Sequence, residues 1–316
     1  VSTFTALKNV TRFGDATLQT QLQVGLQYFF NWAFLGIGAF QNVRLSQSGQ
    51  YSGSRSRLRP VIDPEYTDGQ VWESFRKEWV WETGVEFSVQ PINVSGVWVN
   101  SVFQPATGVG TNAHVIDYPN GRILFTSAIS TTSTVEAEYS YKFVPFYSAD
   151  EHWFQNVQFR SFHVEDSNFL IGSGIWGILA TDRVQLPAVV IECGRRSAPE
   201  GLQLGGGHKV KQQIIFNVLT EYPSENSKLL DIIGYQQDKT IFLFDLNKLA
   251  DSGVFPLDTY GSRVSNALMY PDLVAENNSY RWRKAFFESI QLTQPTQVTP
   301  NFYWSTAESI IEIEMP

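Results

Sequence analysis

The chain has 316 residues, a net charge of −8, an apolar share of 43% and a charged share of only 17%. That length and composition support a sizeable core, which excludes disorder along most of the chain. The acidic balance gives no electrostatic reason to expect a dedicated nucleic-acid binder. Aromatic residues reach 14%, with 9 Trp, 13 Tyr and 23 Phe, which suits strand ladders and subunit interfaces. Cys193 is the single cysteine, so no intrachain disulfide can form and packing alone must hold the fold, as in a reducing compartment.

From Val24 to Val43 the chain is nearly continuous in apolar residues, but Gln23, Gln27 and Asn31 recur every four residues. That spacing predicts an amphipathic helix packed on protein rather than a membrane span. Asp15 is the expected N-cap, Gly36 and Gly38 the stop, and a strand is expected through Phe40 and Val43. No basic start with a cleavage pattern precedes it, so no targeting segment is expected. The stretch 46–60, rich in Ser and Gly and carrying Arg55, Arg57 and Arg59, reads as a basic loop that meets an anion, an acidic neighbour or the chain's own carboxylates.

Between Trp72 and Tyr147 the pattern changes to period two, in Trp79 with Trp81, Val85 with Phe87 and Val89, Val97 with Val99, Ile123 with Phe125, and Val135 through Tyr141. Alternation of that kind predicts antiparallel strands, and a β-sandwich of roughly six to eight of them is the natural assembly. Pro119, Asn120 and Gly121 mark a tight turn before one strand. Glu136 and Glu138 fall on one face of another, which reads as its wet side rather than as an acid–base pair.

The second half has a different pattern. A short helix is expected over 175–183, strands over 188–192 and 211–219, a helix around 229–233, and strands over 240–246, 286–292 and 309–314. The expected fold class is therefore α+β: a helix, basic loop and antiparallel β-sandwich over 1–150, then an α+β domain over 151–316 with α-β-β-α-β-β order.

Motifs for chemistry are sparse. Gly172, Gly174 and Gly177 match G-x-G-x-x-G, with Glu192 twenty residues after the first glycine. The gap to Pro187 is too short for a crossover helix, so a glycine-rich loop is expected and no nucleotide cofactor. His114, His152, His163 and His208 show no ligand spacing, so no metal is expected. Arg195 and Arg196 could lower the pKa of Cys193, but no histidine lies near it in sequence to act as base, and a buried structural thiol is the commoner outcome. No serine elbow or Walker lysine is present. The reading is a binding or structural protein without catalytic residues, cofactor or turnover.

Several runs then resemble virion structural proteins of contractile-tailed bacteriophages, especially those of cyanobacteria. They are Ser56 to Val61, Tyr66 to Trp72, Trp79 to Glu82, Ser95 to Asn100, Tyr118 to Ile123, Glu136 to Tyr141 and Asp238 to Asp245. The element order from Ile175 onward is similar to tail-terminator and tail-completion proteins of the neck. That resemblance implies a homo-oligomeric, sixfold ring built by head-to-tail contacts, docked to connector, tube and sheath proteins. It implies a protein of the virion, assembled in the host cytoplasm, with no membrane and no specific nucleic acid, although the ring would surround the DNA passage. The N-terminal half departs from the pattern, because a minimal terminator needs no such domain.

Three groups are the candidate interface residues: Arg55, Arg57 and Arg59; Arg195 and Arg196; and Arg281, Trp282 and Arg283. A baseplate or tail-fibre module that binds carbohydrate is the alternative, with Trp79, Trp81 and Trp98 as its sugar platform. Burial of those tryptophans would count against it. A glycan hydrolase would need two converging carboxylates, and no such constellation is legible.

Overall fold

The computed structural model describes residues 12–45, 55–149, 158–160, 183–201, 207–299 and 301–315. The first elements are α1 (Leu18–Gly36), β1 (Phe40–Val43), β2 (Arg57–Pro60), β3 (Val71–Glu73), β4 (Gly96–Val99) and β5 (Val102–Pro105). Then come β6 (His114–Asp117), β7 (Arg122–Phe125), β8 (Val135–Glu136), β9 (Tyr139–Lys142), β10 (Phe146–Ala149), β11 (Gln158–Arg160) and β12 (Arg183–Gln185). The second half continues with β13 (Ala188–Arg196), β14 (Glu200–Gly201), β15 (His208–Thr220), α2 (Pro223–Gly234) and β16 (Thr240–Phe244). It ends with α3 (Leu246–Ser252), α4 (Tyr270–Leu273), β17 (Arg281–Leu292), β18 (Thr296–Thr299) and β19 (Phe302–Met315). The fold is mixed α+β, as expected. The helix expected over 175–183 lies almost wholly outside the described residues, and β12 begins at Arg183.

An eight-stranded sheet runs β10-β13-β15-β19-β17-β16, with β14 on β15 and β18 on β19. All its pairs are antiparallel except β10 on β13. Period-two alternation explains its long strands. Ile214, Phe216 and Val218 of β15 face inward with Ala307, Ile311 and Ile313 of β19, while Lys209, Lys211, Glu308 and Glu312 lie on the opposite face. A second sheet of seven strands runs β5-β4-β8-β2-β3-β7-β6, and β1 pairs with β9 as a separate ribbon. Because β2 pairs with β8 through Arg57 and Leu58 and with β3 through Arg59 and Pro60, the sheet turns at this strand. Sheet and ribbon enclose one core of Trp72, Trp79, Val97, Ile123, Val135, Tyr139 and Tyr141.

Three local expectations needed correction. Asp15 does not cap α1: Thr17 occupies the N-cap without a side-chain bond, and the Asp15 carboxylate accepts instead from Arg12, at 2.9 Å from its N–H. The segment 85–89 is not a strand, and burial does not alternate around Trp79 and Trp81, since Val80 between them is buried as well. Nor do the cores divide at residue 150. Leu22, Leu26, Phe30 and Phe34 of α1 pack into the core of the eight-stranded sheet, and β10 joins that sheet as an edge. In the reverse direction Met269 packs into the core of the first half, and the Ser262 hydroxyl donates to Ile116 O at 2.6 Å. The two halves interlock because α1 is apolar around most of its circumference and needs cover on several sides.

The polar stripe of α1 is where its packing is decided. Gln23 and Asn31 are buried, and they serve strand backbone rather than water. Gln23 Nε2 donates to Ile191 O at 2.9 Å, while Asn31 Oδ1 accepts from Phe146 N at 3.0 Å and its Nδ2 donates to Phe146 O at 3.4 Å. Asn31 thus pairs the exposed edge of β10 as a neighbouring strand would. On the same helix Gly25 permits close approach, since a Cβ there would meet Leu243 Cδ2 at 2.7 Å. Asn31→Leu is expected to cost about 2 kcal/mol, because both polar groups of Phe146 lose their partner in a dry site. Urea unfolding checks this, and a loss under about 0.5 kcal/mol would show that water replaces the amide.

Candidate functional site

The three predicted interface groups have different fates. Arg55 lies over the Phe75 ring at 5.6 Å, Arg57 faces Glu136 in strand register, and Arg59 faces Glu73. All three are half-buried, and burial lowers the Arg59 pKa, helped by Arg57. Arg281 stacks on Phe242 at 3.6 Å, and Arg283 lies 5.3 Å from the Trp282 ring. Burial likewise lowers the Arg283 pKa, against the opposing charge of Asp245. These two groups are largely engaged within the chain.

Arg195 and Arg196 differ. They are exposed at the end of β13, and among the described residues neither has an ion-pair partner. They form one rim of an open groove of about 790 Å³ whose other walls include Ser197, Lys211, Gln213, Glu288 and Ile310. The groove floor is stiffened by cross-strand pairs. Lys209 meets Glu312 at 2.9 Å, Lys211 meets Glu288, and Gln213 Nε2 donates to Glu308 at 2.9 Å. Glu312 and Glu288 balance the two lysines and Glu308 meets only a neutral amide, so the two arginines leave the groove with a net positive charge.

A second polar assembly sits where the two sheets meet, and the sequence reading missed it. Arg76 donates to Leu186 O at 2.9 Å, Lys77 N donates to Gln185 Oε1 at 2.7 Å, and Gln185 Nε2 returns to Phe75 O at 2.9 Å. Next to them Glu78 adopts φ +54° and shares a side-chain hydrogen bond with Tyr147. Burial raises the Glu78 pKa to about 7, with Glu82 and Asp117 adding to the rise and Lys142 and Lys77 opposing it. Lys142 and Glu82 form a buried pair at 2.8 Å. Three consecutive charges, Arg76, Lys77 and Glu78, inside an aromatic run were the signal available in the sequence.

Other candidates resolve simply. Trp79 is fully buried and stacked on Tyr139 at 4.5 Å, and Trp81 is 6% exposed, so the proposed three-tryptophan sugar platform does not form. Cys193 is buried and its thiol is pushed up to about 12, because burial outweighs the charge of Arg196. His114 is buried with Nδ1 2.8 Å from Asn112 O. His152, His163 and the glycine motif Gly172 to Gly177 lie outside the described residues. Glu192, the acid paired with that motif, accepts from Asn217 at 3.2 Å.

Among the described residues no group of His, Cys, Asp and Glu is placed to hold a metal, and no helix is long and apolar enough to cross a membrane. No protein-family model matches the chain, and no curated protein matches its sequence.

Proposed function

We propose that the protein is a structural component of a tailed-phage virion, a ring-forming part of the neck or tail terminus that joins tail to head. It acts by docking, without turnover. Supporting this reading, beside the sequence resemblance, is one observation: an exposed arginine pair stands at the rim of an open groove on a broad, cross-braced sheet. In a chain of net charge −8, two such arginines favour contact with an acidic protein surface. The test is to label particles from the source culture with a gold-tagged antibody against the protein. Gold at the head–tail junction is the expected result. Gold at the distal tail would overturn the neck position, and unlabelled particles would overturn the virion role.

A further inference from the structure

We infer that the Arg195–Arg196 groove of one copy receives the Ile62–Asp68 corner of the next copy. The inference rests on the self-assembly proposed above and names the two surfaces that make it. The corner is the loop between β2 and β3 together with the turn at Asp258 to Gly261. Ile62 is 52% and Tyr260 59% exposed, and Glu65, Asp68 and Asp258 stand beside them in water. Burial, then Asp63, Glu65, Asp117 and Tyr260, all raise the Tyr66 pKa, so these groups share one local field.

Within the corner, charges divide into engaged and free. Arg122 holds Asp63 at 3.3 Å, and Asn120 donates to Asp117 at 2.8 Å. Glu65 and Asp68 have no ion-pair partner among the described residues. The corner therefore offers two free carboxylates beside two exposed apolar side chains, and the groove offers two free guanidinium groups beside Ile310. Opposite charge over apolar contact is the composition expected of a steered interface. The groove lies on the eight-stranded sheet and the corner on the seven-stranded one, so the two surfaces differ, and a head-to-tail contact between them propagates from copy to copy.

The experiment uses charge reversal in the full chain. One variant carries Arg195→Glu with Arg196→Glu, the other Glu65→Lys with Asp68→Lys, and circular dichroism with thermal melting verifies that each is folded. Sedimentation velocity at low and high salt then reads association. The wild type is expected to self-associate, more weakly at high salt. Each variant alone is expected to lose about 100-fold or more in association, because like charges then face each other. An equimolar mixture is expected to recover it, since both mixed contacts again pair opposite charges.

Variants that associate like the wild type, or a mixture that stays apart, would overturn this pair of surfaces while leaving self-assembly standing. A monomeric wild type with gold at the head–tail junction would overturn the contact and leave the virion role intact. Dissociation of the arginine variant alone would point to a different acidic partner surface and would also overturn it.

Discussion

Arg122→Met is expected to destabilise the protein by about 3–5 kcal/mol, the cost of leaving a buried charge without its partner. Arg122 is 4% exposed along its side chain, Glu73 0% and Asp63 14%. The guanidinium Nε reaches Glu73 Oε2 at 3.0 Å, and one terminal nitrogen reaches Asp63 Oδ2 at 3.3 Å. Glu73 and Arg122 are cross-strand partners of β3 and β7, so the pair sits on the ladder that carries Trp72 and Ile123 into the core. Methionine fills the arginine's stem but leaves the Glu73 carboxylate dry. The arrangement is already incomplete, because among the described residues Arg122 Nη2 and Glu73 Oε1 have no hydrogen-bond partner.

The double variant Arg122→Met with Glu73→Leu removes both charges, and it is expected to recover most of the loss. Urea unfolding of the two single variants and the double one closes the cycle. A single-variant loss below about 1 kcal/mol would mean that water reaches the carboxylate and that the pair adds little.

Glu78→Gln is expected to flatten the dependence of stability on pH. The folded pKa of Glu78 is raised to about 7 from 4.5, so the folded state keeps a proton that the unfolded chain releases. Stability from this group is fully present below pH 4.5 and falls as pH rises toward 7, by about 3 kcal/mol in all. Glutamine cannot ionise, so the variant is expected to match the wild type near pH 4 and exceed it by about 2–3 kcal/mol at pH 8. The groups facing Glu78 decide the size of the effect. Glu82 and Asp117 oppose its charge, whereas Lys142 and Lys77 favour it. Chemical denaturation of both proteins across that range gives the answer, and parallel stability curves would sink the assignment. Glu78 adjoins the bonds that tie Phe75, Arg76 and Lys77 to Gln185 and Leu186, so the titrating group sits at the seam between the sheets.

What the amino-acid order determined on its own was the local part of the fold. Four-residue polar spacing and the glycines after Leu35 placed α1 and its end at Gly36, and the following strand falls on Phe40–Val43. Alternation located β15, β17 and β19, although each runs longer than the pattern suggested, because pairing extends a strand past its apolar residues. Pro119, Asn120 and Gly121 marked the β6–β7 hairpin, where Gly121 takes φ +63°. These features depend on neighbours a few residues away, so they can be read from the chain.

Tertiary structure decided everything that depends on distant partners. Gln23 and Asn31 were legible only as a polar stripe, and strands 168 and 115 residues away respectively supply the backbone groups they bond. Burial does not alternate over Trp79 to Trp81 because the segment is covered on both sides, Trp79 and Trp81 in the core of the first half and Val80 against Leu35 and Val85. Of eight candidate interface residues, aromatic stacking and strand pairing engaged six and left Arg195 and Arg196 exposed. The Glu78 seam showed in the sequence only as three consecutive charges in an aromatic run, because its partners Gln185 and Leu186 lie far along the chain. A carboxyl group's pKa is set first by burial, and for Glu78 that burial and the charges of Lys142 and Asp117 come from distant parts of the chain.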